Sequence, residues 1–110
     1  MLVRECEDGN IEYKRKISSK KERLETLASQ MKWRLSEGKG ICYYYIGVED
    51  NGRISDLGRI SLIKSLKNLK KVIKIIDSEI ISIERLSEDK KEYFVIKIKK
   101  EFNSNYLFLF

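Results

Sequence analysis

The spacing of the apolar residues switches twice along this chain from the two-residue period of a strand to the helical period and back. That constrains the fold more than any motif, because a strand buries one face, a helix buries one stripe, and both must share a core. Residues 11–17 alternate, with Ile11, Tyr13 and Ile17 on one side and Glu12, Lys14 and Lys16 on the other. This predicts a half-buried strand with a charged outer face. Ser19 with Glu22 reads as a capping box. Leu24, Leu27, Ala28, Met31 and Leu35 then form one stripe, and Gly38 reads as a left-handed stop, so a helix is expected over 20–37. Residues 41–48 (ICYYYIGV) read as a strand, and Asn51-Gly52 predicts a hairpin whose second arm is 53–57. A second helix starts near Ile60, with Leu62, Leu66, Leu69, Ile73 and Ile76 inward and Lys64, Lys67, Lys70, Lys71 and Lys74 mostly off the stripe. Strands are expected over 80–86 and 92–100, joined by a polar turn at 87–90. In the second of these, Phe94, Ile96 and Ile98 face in, while Val95, Lys97 and Lys99 face out.

The order β-α-β-β-α-β-β predicts an α+β domain of two layers, its mixed or antiparallel sheet covered on one face by two amphipathic helices. The other face is expected to carry Glu12, Lys14, Lys16 and the outward lysines of the late strand. With 110 residues the chain is read as a single domain. Residues 1–9 are expected to be a flexible acidic lead-in, and 101–110, ending in NYLFLF, an apolar tail or edge strand able to pair with another copy.

Composition limits the chemistry. There is no histidine, which removes His-based nucleophilic triads and His-ligated zinc. The two cysteines, Cys6 and Cys42, are too few for a four-thiolate site, so any metal held by one chain must use oxygen ligands, which favours Mg²⁺ or Mn²⁺. The cysteines read as free buried thiols, or as a disulfide if the source is a hyperthermophile, which the Lys-, Ile- and Glu-rich composition would fit. No apolar run reaches the length of a membrane span and no signal-peptide pattern opens the chain, so the expected location is the cytoplasm. A formal charge of +6 is compatible with a phosphate-rich partner and equally with plain solubility.

The runs EDGNIEYKRKI, SQMKWRLSEGKG and YYYIGVEDNG resemble the amino-terminal domain of the elongation-factor-like GTPases related to GTP-binding proteins 1 and 2. More widely, Glu12-Tyr13-Lys14 and the hairpin Gly47-Val48-Glu49-Asp50-Asn51-Gly52 resemble the Schlafen, or Alba-like, domain. One departure is Asp56-Leu57, where that hairpin usually ends in Gly-Leu. The sequence has no Gly-x-x-x-x-Gly-Lys-Ser/Thr loop, so the expectation is an accessory domain without the GTPase.

The Schlafen resemblance implies an RNA-acting protein, in some members a metal-dependent endoribonuclease on structured RNA such as tRNA or rRNA. The implied metal ligands are Glu7, Glu12 and Asp50, with Mg²⁺ or Mn²⁺ activating water, no nucleotide cofactor, and Lys14 stabilising the phosphorane. Lys14, Lys16, Arg34, Lys39 and Arg53 are the expected phosphate contacts. Taken singly, Glu12 and Lys14 also read as a solvated strand face, Asp50 as a turn former, and Glu7 as part of a frayed end. Trp33, Tyr43 and Tyr45 read either as packing residues or as base-stacking surfaces. The alternatives to a nuclease are a non-catalytic nucleic-acid-binding module and a protein-interaction or oligomerisation domain.

Overall fold

A computed structural model describes residues 1–101, and the tail expected to form a last strand or an oligomer contact lies outside the described residues from 102 onward. The elements run β1 (Ile11–Lys14), α1 (Lys21–Glu37), β2 (Ile41–Ile46), α2 (Arg59–Ile75), β3 (Glu79–Glu88) and β4 (Lys91–Lys99). The four strands form one sheet in the order β1-β2-β4-β3, with β1 parallel to β2 and the other pairs antiparallel. This is the expected two-layer α+β domain, its sheet mixed because β1 runs parallel to β2. Both helices pack on one face. Leu27, Met31 and Leu35 of α1 and Leu62, Leu69, Val72 and Ile73 of α2 meet Cys42, Tyr44 and Ile46 of β2 and Phe94, Ile96 and Ile98 of β4. Both sequence stripes therefore form the core.

The helix ends differ in detail from the sequence reading. Lys20, rather than Ser19, is the N-cap residue of α1, and no side chain caps it. At the other end Gly38 is not left-handed (φ −93°), and Lys39 takes that conformation instead, at φ 54°. Backbone bonds from Gly40 N–H to Leu35 C=O and from Lys39 N–H to Ser36 C=O complete a Schellman closure. Gly38 is required for space, since a Cβ there would collide with the Ile41 carbonyl. The expected arm at 53–57 shrinks to a single bridge between Val48 and Ile54. Beyond it Asp56 and Gly58 take positive φ and divert the chain into α2. Both cysteines are free, Cys42 buried but Cys6 exposed. Burial pushes the Cys42 thiol up to about 12, which makes it a poor nucleophile at neutral pH.

The second face of the sheet carries Lys97 and Lys99 of β4, as expected, but not Glu12 and Lys14, which lie on the helix side. Its centre is a smaller cluster of Tyr13, Val48, Ile54 and Tyr93, with Leu2, Tyr45 and Val95 packed against it. The segment 1–9, expected to be flexible, is held in place: Leu2 packs against this cluster, and the segment is hydrogen-bonded to the 49–52 turn through Leu2 N–H to Gly52 C=O and Glu5 N–H to Asp50 C=O. Among the described residues no helix is long and apolar enough to cross a membrane.

Candidate nucleic-acid interface

A cleft of about 680 Å³ opens on the helix side, between the segment leaving β1, the start of α1 and the outer side of α2. Its shape follows from two bonds that tie the 15–20 segment to α2. The Ile17 N–H donates to Ser65 Oγ at 3.0 Å, and Asn68 Nδ2 donates to the Ile17 carbonyl at 2.9 Å. Ile17 itself is buried in the core, so this segment cannot lift away without exposing it. Lys14, Lys16, Lys20, Arg23 and Lys64 line the cleft together with hydroxyl and amide side chains, and none of its lining residues is acidic. Among the described residues none of these five cations forms an ion pair. Five positive groups crowded without counter-charge raise the local potential, and a polyanion would relieve that repulsion. Helix α2 extends the field with five lysines and no carboxylate along its length, while Arg59 at its start is paired with Glu92.

Of the expected phosphate contacts, Lys14 and Lys16 line this cleft. Arg34 does not. It is only 3% exposed, and its guanidinium donates to the carbonyls of Cys6, Asp8 and Gly9 and to Glu12 Oε2 at 3.4 Å. It thereby pins the N-terminal segment to the core. Lys39 is in the turn after α1, at the other end of that helix from the cleft, and Arg53 follows the 49–52 turn. Lys20, Arg23 and Lys64 were missed. The first two stand at a helix start where they read as solvated charge, and Lys64 becomes a cleft residue only because Ser65 and Asn68 bring α2 beneath the β1–α1 segment.

The carboxylates are arranged differently from the expected triad. Glu12 does not point to solvent. It shares the helix side of β1 with Lys14, is buried, and is paired with Arg34. The reason is that Tyr13, its neighbour in the strand, fills the second cluster and turns Glu12 toward the core. Glu7 is exposed, and the residue that meets Glu12 is Glu5. Its carboxylate accepts the Tyr13 N–H. Its pKa is pushed up to about 7, first by burial, then by a hydrogen bond with Glu12 and by the negative charges of Glu12 and Asp50. Among the described residues no three His, Cys, Asp or Glu side chains form a group able to hold a metal ion.

The aromatic residues divide by face. Tyr13 and Tyr45 (centroids 5.2 Å apart) and Tyr45 and Tyr93 (6.4 Å, near-parallel) form a continuous row under the N-terminal segment. The Tyr13 hydroxyl donates to the Val3 carbonyl. Trp33 is exposed on α1, with the Arg34 guanidinium 4.9 Å from its ring centroid. Tyr43 lies outside the cluster, half-buried, with the Lys97 ammonium 5.9 Å from its ring centroid.

The chain is therefore a small α+β domain with a basic cleft on its helix side. Across 80 residues, 72% of its length, it is related to GTP-binding protein 2 of human and of mouse, with 46% identity. An uncharacterized protein of Acanthamoeba polyphaga mimivirus is 37% identical over 82 residues, 71% of this chain. The match spans 13% of GTP-binding protein 2 and 44% of the viral protein. No protein-family model matches the chain, and no solved structure does.

Proposed function

We propose that this domain binds RNA by its phosphates in the cleft between the β1–α1 segment and α2. The observation that carries the reading is the set of five cations, Lys14, Lys16, Lys20, Arg23 and Lys64, lining one cleft without a carboxylate partner. RNA, rather than another polyanion, follows from the Schlafen-like resemblance of Glu12-Tyr13-Lys14 and the 47–52 turn. GTP-binding protein 2 is named for GTP, but the residues this chain offers include no phosphate-cradling Gly-x-x-x-x-Gly-Lys-Ser/Thr loop, so GTP hydrolysis is not part of the proposal.

Binding is favoured over cleavage as the function, because Glu12 is committed to Arg34 and the expected carboxylate triad does not assemble. The test is affinity for a structured RNA as a function of salt. Log affinity should fall linearly with log salt, and the Lys16→Glu, Lys64→Glu double variant should bind about tenfold or more weakly with a shallower slope. Salt-independent affinity, or an unaffected double variant, would overturn the proposal. The same reactions run with Mg²⁺ or Mn²⁺ read cleavage. Products that form with wild type and disappear in a Glu12→Gln protein that keeps the wild-type circular dichroism spectrum would make the domain a nuclease instead.

A further inference from the structure

On the open face of the sheet, one row of residues escapes the N-terminal cover. Ile11 of β1, Tyr43 of β2, Lys97 of β4 and Ser82 of β3 stand abreast in the strand register. Ile11 is 40% exposed, and Tyr43 and Lys97 are each half-buried. The next row, Tyr13, Tyr45 and Val95, belongs to the cluster beneath Leu2, Val48 and Ile54, whereas Tyr43 does not. Core packing thus accounts for Tyr45 and leaves Tyr43 unexplained. The ring stands in the middle of the sheet with an aliphatic side chain beside it and the Lys97 ammonium over it, 5.9 Å from its centroid. A long lysine side chain can swing aside, so that a planar base takes its place over the ring and the ammonium meets the phosphate attached to that base.

We propose that Tyr43, with Ile11 and Lys97, is a stacking site for an unpaired nucleobase, so that the domain engages a single-stranded stretch of the RNA whose phosphates the cleft holds. This rests on the reading of the cleft as an RNA site. The two sites meet across β1, the edge strand: Lys14 at its end lines the cleft, and Ile11 at its start borders Tyr43. The strand is four residues long, so its ends are only about 10 Å apart. A flexible strand can turn over so short an edge, whereas a duplex, whose bases are already stacked on one another, cannot lay a base on Tyr43.

The experiment compares two probes by fluorescence anisotropy, a short oligouridylate and a perfectly paired RNA duplex of equal length. Tyr43→Leu should weaken the oligouridylate about tenfold and leave the duplex unchanged, and Tyr43→Trp should restore the wild-type value. The Lys16→Glu, Lys64→Glu cleft variant should weaken both probes. If Tyr43→Leu does not fold, as judged by circular dichroism, Lys97→Glu reads the same contrast. Equal oligouridylate affinity for wild type and Tyr43→Leu, or equal losses on both probes, overturns the stacking site while the cleft stands. Failure of wild type to bind either probe overturns the cleft and the stacking site together.

Discussion

At the scale of single residues, the hydroxyl of Tyr44 is buried in β2 without a hydrogen-bond partner among the described residues. A buried donor without a partner costs on the order of 1–3 kcal/mol. Tyr44→Phe keeps the ring packing and removes that cost, so urea unfolding should show a gain of about 1 kcal/mol rather than a loss. Glu5 makes a second prediction. Its pKa in the folded chain, about 7, lies above the ordinary value of 4.5, so the folded state keeps a proton that the unfolded chain releases. The stability this contributes is fully present below about pH 4.5 and is lost as the pH rises through about 7. Glu5→Gln stays neutral throughout. Its melting temperature relative to wild type should therefore climb across that window and level off above it. A difference that stays flat with pH would show that Glu5 is not the titrating group.

Among the elements, the β3–β4 turn is the clearest point of strain. Asp89 and Lys90 both have positive φ (51° and 67°), the requirement of a type I′ turn, yet neither is glycine. Replacing them by Asn-Gly should stabilise the domain by about 0.5–1 kcal/mol, seen as a higher midpoint with an unchanged denaturant slope. The contrast with Asn51-Gly52 shows what the sequence could reveal. That dipeptide looks like the hairpin, but Asn51 does not take positive φ and the turn is followed by a single bridge. The long hairpin is closed by Asp89-Lys90, which carries no such signature. The helices and the inward residues of β4 were readable because their periods repeat over many residues. Strand β1, at four residues, is too short for alternation to say which face is inward. That is why Glu12 was assigned to solvent although Arg34 holds it in the core. The charged alternation marked Lys14 and Lys16 as outward residues, and both line the cleft. Their partner Lys64 was not singled out, since only the packing of α2 under Ile17 brings it near.

For the molecule as a whole, Arg34 joins the layers, reaching from α1 to Glu12 on β1 and to three carbonyls of the N-terminal segment. Arg34→Ala leaves Glu12 buried without its partner, so it should cost about 3–5 kcal/mol. Amide exchange in residues 2–9 should also quicken, because their carbonyl anchor is gone. A wild-type exchange pattern in the variant would show that the turn contacts alone hold the segment. The strand order has a consequence for how the protein is made. Strand β4, at the end of the described chain, is the partner that joins β2 to β3, and it supplies Phe94, Ile96 and Ile98 to the core. A nascent chain emerging from the ribosome has both helices and β1–β2 early, but its two halves of sheet have nothing between them until Lys99 is free. The sheet therefore cannot close until β4 has been made, and a product that stops before β4 leaves the apolar faces of β2, α1 and α2 uncovered.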